Sequence, residues 1–548
     1  MSTTPRLTRT QWLIIVIAAI GFLFDTYELL MTPLVAVPAI AELLGLPPNN
    51  PTVTDWTGRL LWITAVCGGT FGLLGGWLID RFGRKRIMAA SIFLYAFSPF
   101  AAAFATSLPM FIFFRCTTFI GVCVEFIAAI TWLAELFPDA RQKKVVLGGT
   151  QAFASLGGLL VTGVNIWIVG HAADLPAMNG AHASWRYLLT TGLLPAIPIA
   201  LLLPFVPESQ VWLERRNTAR PSFGALFSPT LRRATLVSAA LSACAYAAAF
   251  GALQLTPLRI APGLPELSEQ RKALKPLNDE ATKLNLELSS DAKPKFDAAV
   301  ATVPGLGHLA KQRAATRIAQ RAARKADDKA QLGVLVAKFK DFDAKLDALT
   351  AAKPDAKTAI LGREKILKGL GDLREQQQPL DDAVKQRGNH AQLFQELGGL
   401  VGRILLALLL LTAIPRGRML RIFILPGLLI APLLYSTLYH SGGAGFDWGI
   451  FVLGLCVVAQ FSYFGEYLPK VFPVHLRGTG GSFATNVGGR MIGTSAAFLT
   501  TNVLAPMMPG TSTFDKVAIA AAIVAASVFT IGFALSFLLP EPKAEAAE

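Results

Sequence analysis

The sequence predicts an all-α membrane protein with about twelve transmembrane helices and a charged helical insertion after the seventh. Three observations carry this expectation. Apolar residues fill 53% of the 548 positions and charged residues only 16%, against about 25% charged in an ordinary soluble domain. The apolar residues fall in blocks of about 20, the length that crosses a hydrocarbon core roughly 30 Å thick. Lys and Arg concentrate in every second short loop between those blocks.

The blocks lie near 12–40, 58–79, 87–107, 109–136, 146–169 and 186–206, then 233–257, 396–414, 419–438, 448–468, 480–503 and 517–539; they are called spans one to twelve below. The first is too long for a cleavable signal and is followed by no small-residue cleavage site, so it is read as a span. Cys67, Cys116, Cys123, Cys244 and Cys456 all sit inside apolar blocks without metal-ligand spacing. They are packing residues by this reading. The net charge of +15 would suggest nucleic acid in a soluble protein, but here the short basic loops account for it.

Those loops fix the expected topology. Arg81, Arg84, Lys85 and Arg86 form the first basic cluster, Arg141, Lys143 and Lys144 the second, and Arg215, Arg216, Arg220, Arg232 and Arg233 the third. Arg416, Arg418 and Arg421 follow, then Lys470 and Arg477, whereas the alternate loops near 41–57, 105–109, 170–184 and 440–446 hold no Lys or Arg. Excess Lys/Arg marks the cytoplasmic side, so both termini are expected inside. The organisation read from this is a cytoplasmic N-terminus (1–11), a six-helix half (12–206), a cytoplasmic linker (207–232), span seven (233–257), an insertion (258–395), spans eight to twelve (396–540) and a cytoplasmic tail (541–548). The insertion is rich in Ala, Lys, Asp, Gln and Leu and reads as amphipathic helices broken at Pro294, Pro304–Gly305, Pro354 and Pro379. Seven spans precede it, which places it outside, in the periplasm or extracellular space. The rival placement, a cytoplasmic linker between the halves, requires dropping a span, and Leu236–Leu255 is too apolar to drop.

The loop after span two reads Gly76-Trp-Leu-Ile-Asp80-Arg81-Phe-Gly83-Arg84-Lys85. In residue type, spacing and position it resembles the G-x-x-x-D-R-x-G-R-K signature of the major facilitator superfamily. Glycine suits a tight turn, and the carboxylate can face a helix N-terminus across the bundle. The resemblance implies two pseudo-symmetric six-helix halves and a gating role for Asp80. The end of span four, Ala134-Glu135-Leu-Phe-Pro138 followed by Arg141, and the run Pro207-Glu208-Ser209-Gln-Val-Trp212-Leu213 resemble the sugar-porter and metabolite (organic acid)–proton symporter branches. Glu466-Tyr-Leu-Pro-Lys-Val-Phe-Pro473, with Arg477-Gly478, repeats the span-four ending in the second half, as duplicated halves would. These matches imply a gate network of Arg84, Glu135, Arg141, Glu208, Glu466 and Arg477. Its structural alternative is a set of basic positive-inside loops.

An ionisable group near the bilayer centre is costly, so it is expected to face a cavity or a partner. Asp25 and Glu28 lie inside span one, Arg115 and Glu125 inside span four, Arg403 inside span eight and Arg490 inside span eleven. Glu28 and Arg115 resemble the acid–arginine pair of proton-coupled sugar porters, and Asp25 with Glu28 resembles the two acids of the D-G-x-D motif in acid symporters. Asp25, Glu28, Arg115 and Glu125 are therefore the proton-coupling candidates, with a purely structural ion pair as the alternative. Gln151 and Asn165 in span five resemble sugar-porter substrate contacts, amides being both donors and acceptors; helix packing is the alternative. Gly489-Arg490 resembles aromatic-acid symporters rather than sugar porters, and Arg490 and Arg403 suit a substrate carboxylate, or a structural ion pair.

The expected activity is proton-coupled symport of a small polar metabolite, a sugar or a carboxylate, across the cell (inner) membrane. Efflux, or a receptor that senses through its insertion, are the alternatives. No P-loop and no zinc spacing appears; no cofactor, metal, enzymatic activity or nucleic-acid partner is expected. The partners are substrate, protons and the bilayer. The insertion's apolar and basic faces either pack on each other or bind an envelope protein.

Overall fold

The structure, a computed structural model, describes residues 8–46, 48, 50–137, 139–179, 182–194, 196–215, 222–325, 327–412 and 414–541. Among them, nine helices are long and apolar enough to cross a membrane: Arg9–Leu44, Pro51–Phe82, Leu108–Leu136, Val145–His171, Arg232–Leu255, Pro354–Leu409, Arg416–Ser441, Gly443–Val471 and Thr513–Ser536. Three further crossings complete the set. Span three, Arg84–Ala102, opens on the basic residues of the motif. Span six is made of short pieces, Ser184–Thr190 and Ala196–Leu202. Span eleven starts as the α-helix Arg477–Ser482 and continues as a π-helical stretch, Phe483–Gly493.

Local sequence explains where several spans begin. Span two follows Asn50, whose side chain accepts from the Thr52 N–H, with proline at the first helical position. Span twelve starts at a capping box, Ser512 and Asp515 each satisfying the other's backbone N–H. Gly83, at φ 107°, turns the chain from span two into span three within one residue, a conformation that a side chain would strain.

The chain divides into two compact units. The first comprises Met1–Leu44, Pro48–Ser268 and Val384–Glu548. It holds two apolar cores, one from spans one to six (Ile17, Tyr95, Trp132, Ile199) and one mainly from spans seven to twelve (Leu241, Phe423, Tyr463, Phe529). Small residues bring the helices close, as is usual where lipid removes the hydrophobic drive. A Cβ on Gly488 would stand 2.3 Å from the Ala239 carbonyl oxygen, and one on Gly493 2.6 Å from that of Ala243, so span eleven lies directly against the backbone of span seven.

The second unit comprises Gly45–Pro47 and Glu269–Ala383. The stretches 258–268 and 384–395, grouped with the insertion by the sequence, fall in the first unit. Within the second unit Leu306, Leu309, Phe342, Leu346 and Ile360 form an apolar core. Arg313 is buried there and donates to both oxygens of Glu364, at 2.7 and 3.0 Å, and to Asp343 at 2.5 Å. Burial alone would lower the Arg313 pKa, but these two carboxylates hold it above its ordinary value. Pro354 opens a helix and Pro304–Gly305 separates two, as expected. Pro379 breaks nothing. The helix Pro354–Leu410 runs through it into span eight, because proline removes only one N–H bond and the long helix retains the rest.

Candidate functional site: a paired gate and a closed polar cavity

Arg84, the first residue of span three, is wholly buried. Its Nε and Nη2 donate to the two oxygens of Glu135 at 3.0 and 2.8 Å, and its Nη1 to the Ile79 carbonyl at 3.1 Å. Two parallel N–H···O bonds fix a guanidinium against a carboxylate more firmly than a point charge would. Its Nη2 also reaches the Val474 carbonyl at 3.2 Å, and Arg477 lies 3.9 Å from Glu135, so second-half residues close on the pair. Asp80 accepts from the backbone N–H groups of Gly478 (3.1 Å) and Thr479 (2.8 Å) and from the Thr479 hydroxyl (2.8 Å). A carboxylate of the first half thus seats on the first turn of a second-half helix.

Glu208 accepts from the N–H groups of Arg84, Lys85 and Ser209, capping span three, while Lys85 Nζ donates to the Val206 carbonyl. Gly76 is needed because its Cβ would meet the Gly478 oxygen at 2.6 Å. Arg81 is exposed. The side chain of Arg141 and the whole of Pro138 lie outside the described residues.

The second half builds a related cluster. Arg416 Nη2 donates to Glu466 at 3.1 Å, and Lys470 also bonds Glu466. Glu541 accepts from the N–H groups of Arg416 and Gly417, each at 3.2 Å, as Glu208 does for span three. The sequence shows a basic loop here, Pro415-Arg-Gly-Arg418, and its reading puts Glu541 in the tail. The signal it passed over was Pro540-Glu541, the counterpart of Pro207-Glu208.

Between the two halves lies a cavity of about 50 Å³ whose polar wall carries Asp25, Gln151, Gln254, Glu396, Arg403 and Arg490. That volume holds roughly three to five waters, at 10–15 Å³ each on this measure, so a metabolite enters only a more open form. Asp25 Oδ2 stands 3.6 Å from Arg490 Nη2. Arg490 is further held by the Val122 carbonyl (3.1 Å) and Asn486 Oδ1 (3.2 Å), with Phe126 beneath it. Arg403 donates to the Gln151 carbonyl at 2.7 Å. Glu396 accepts from Gln392 (2.8 Å) and Gln395 (2.9 Å). The sequence reading missed Glu396 because it stood at the edge of an apolar block, next to polar residues assigned to the insertion.

Four candidates fall elsewhere. Glu28, Arg115 and Glu125 are buried in the first half without lining the cavity. Arg115 donates to Thr32 rather than to Glu28, which is its charged neighbour beyond ion-pair contact. Both oxygens of Glu28 and of Glu125 lack a hydrogen-bond partner among the described residues. Asn165 does not line the cavity either; it donates to Asn389 at 3.1 Å.

Away from the signature motif, near the N-terminal end of span two, a thinner layer joins the halves. Arg259 donates to the Thr54 and Thr57 hydroxyls at 3.1 and 3.0 Å, and Asn502 to Asp55 at 2.6 Å. No cluster of His, Cys, Asp and Glu with metal-site geometry occurs among the described residues.

Two helical halves around a closed cavity, with the Gly76–Lys85 motif bridging them, define the class. Residues 10–270 match the family described as Major Facilitator Superfamily. The whole chain carries the fold. It aligns over 98% of its length with all of the partially occluded, inward-open xylose transporter XylE from E. coli, at TM-score 0.54 and 16% identity. A D-xylose–proton symporter structure aligns over 97% of this chain and 99% of its own, at TM-score 0.55 and 14% identity. Among curated relatives, the sialic acid transporter NanX of Escherichia coli is 26% identical over 215 residues, 38% of this chain and 47% of the relative. The 3-(3-hydroxy-phenyl)propionate transporter of the same organism is 33% identical over 166 residues, 30% of this chain and 38% of the relative. The arabinose–proton symporter of Bacillus subtilis is 26% identical over 177 residues, 32% and 37% of the two chains. The chain thus spans less than half the length of these curated relatives. It is an integral, multi-pass membrane protein.

Proposed function

We propose that the chain is a secondary active transporter that carries a small polar metabolite, a sugar or a carboxylate, together with protons by alternating access. The observation that carries this reading is the Asp25–Arg490 pair on the wall of a cavity closed between two halves. An ion pair in a membrane protein interior is costly unless it does something. A proton on Asp25 cancels its charge and releases Arg490, which then meets a substrate carboxylate or repacks. Rocking of one half against the other exposes the cavity first to one side and then to the other. Glu125, a close charged neighbour of Asp25, receives the proton in turn. Glu28, with Arg115 as a charged neighbour beyond ion-pair contact, is a second proton-binding candidate deeper in the first half. Relatives named as proton symporters of arabinose and xylose support the coupling.

The basic loops support a cytoplasmic position for the Asp80 and Glu466 clusters and for both termini, in the cell (inner) membrane. Span count supports an outside position for the insertion. Transport runs on gradients, with no cofactor.

Uptake of labelled sugars and carboxylates into proteoliposomes under an imposed pH gradient tests the reading, with wild type beside Asp25→Asn. Accumulation lost in the variant while exchange persists is the expected result. Accumulation unchanged in Asp25→Asn removes Asp25 from coupling and moves the test to Glu28→Gln. Movement indifferent to the pH gradient overturns proton coupling, and movement only against an inward gradient makes the protein an exporter.

A further inference from the structure

We propose that the cavity takes a hydroxylated carboxylic acid, with Arg403 and Arg490 holding its carboxylate and Gln254, oriented by Glu396, selecting its hydroxyls. This rests on the reading of the cavity as the transport site and narrows it.

Glu396 and Arg403 are seven residues apart in one helix, two turns, so they share a face of span eight. Both line the cavity, as does Gln254 from the end of span seven. Glu396 is already met by amide N–H groups from Gln392, Gln395 and Gln254. The donors of these amides are turned to the carboxylate. The Gln254 carbonyl oxygen is left buried without a hydrogen-bond partner among the described residues, and so is Asp25 Oδ1. The cationic side shows the converse: Arg403 Nε, Arg490 Nε and Gln151 Nε2 are buried donors without partners.

Buried polar atoms in native structures are nearly always hydrogen-bonded, so a set left open around one cavity describes the ligand that completes it. The open acceptors call for hydroxyl donors, and the open cationic donors call for an anionic acceptor. A neutral sugar leaves the two arginines without a new partner. A plain aliphatic acid leaves the Gln254 oxygen unmet. A hydroxylated acid satisfies both. Charge agrees, because the wall carries two arginines and two carboxylates. One substrate anion is balanced by one proton, placed on Asp25.

The probes are D-gluconate, D-glucose (a hydroxylated six-carbon ring without the charge) and hexanoate (the charge without the hydroxyls), titrated calorimetrically into the purified full-length protein. Gluconate is expected to bind at least about tenfold more tightly than either, since a site built for hydroxyls rejects analogues that lack them. The preference for gluconate over hexanoate is expected to fall about fivefold or more in Gln254→Leu and in Glu396→Gln, the second variant keeping the side-chain shape. Glucose or hexanoate within about threefold of gluconate, an unchanged preference in both variants, or no gluconate binding overturns the inference. Proton-driven accumulation of another compound without gluconate binding sinks this inference and leaves the transport reading intact. Selective gluconate binding in a protein that moves nothing under a pH gradient sinks the transport reading instead.

Discussion

The two halves solve the same problem at the start of span three and the start of span nine, but with different strength. In the first half Arg84 and Glu135 are both sealed from solvent and joined by two bonds. In the second, Arg416 is 12% exposed and reaches Glu466 through one bond, while Lys470 shares the same carboxylate. Glu208 gathers three backbone N–H groups and Glu541 two. The larger difference is Asp80. It crosses to Gly478 and Thr479, whereas Thr412, which stands four residues before Arg416 as Asp80 stands before Arg84, bonds locally, donating to the Leu409 carbonyl and accepting from the Ile414 N–H. The bonds that Asp80 makes across the halves are thus not repeated from Thr412, and the Arg416–Glu466 pair lies within its own half.

Breaking the stronger pair should cost most. Arg84→Ala leaves Glu135 buried and short of its main partner, and losing one member of a buried pair costs about 3–5 kcal/mol. Thermal unfolding of the purified protein should show it as a large fall in Tm; a fall no greater than that of Arg416→Ala would abolish the asymmetry. Asp80→Asn is next. It keeps the shape but turns charge-assisted bonds into neutral ones, worth about 1.5–3 kcal/mol together. In a background without the five native cysteines, Ser482→Cys, buried beside the clamp, should react with an impermeant maleimide on the order of tenfold faster when Asp80 is Asn. Equal labelling would show that Asp80 does not hold the motif side shut. Arg416→Ala follows at about 1 kcal/mol, because Lys470 still pairs with Glu466; the double change with Lys470→Ala should exceed the sum of the two single ones.

These contrasts also show what the sequence can reveal. Spans were legible because lipid demands continuous apolar length, which composition records directly. The first-half motif was legible because Gly83, Asp80 and Arg84 are each the residue type that a turn, a helix N-terminus and a buried carboxylate call for. Glu541 was not, since one glutamate after a proline near the chain's end carries no spacing signal until Arg416 and Gly417 are seen to point at it. Glu396 was hidden for a different reason. The block boundary fell on it, and Gln392 and Gln395 resembled the polar insertion that precedes them. Pro379 misled because residue preference acts on one turn, while a helix of 57 residues answers to its whole length. The Asn165 partner was not legible because a resemblance specifies a residue type and a span, not which side chain of the other half lies opposite; here that is Asn389.

The smallest effect probes the weakest member of the duplicated set. Glu541 is positioned by the chain before it, where the Tyr467 hydroxyl donates to the Pro540 carbonyl at 2.6 Å. Glu541→Gln leaves that anchor and one acceptor in place and removes only the negative charge at the first turn of span nine. A charge at a helix N-terminus contributes about 0.3–1 kcal/mol where solvent reaches it. Its bond to the Arg416 N–H lies in an exposed setting, so salt should screen most of the difference. Glu208→Gln, the matched change in the first half, should cost more and respond less to salt, because its oxygens lie among part-buried N–H groups. Unfolding of both variants at low and at high ionic strength measures the two responses side by side. Equal salt dependence would mean that the two caps are equivalent and that the asymmetry between the halves resides in Arg84 and Asp80 alone.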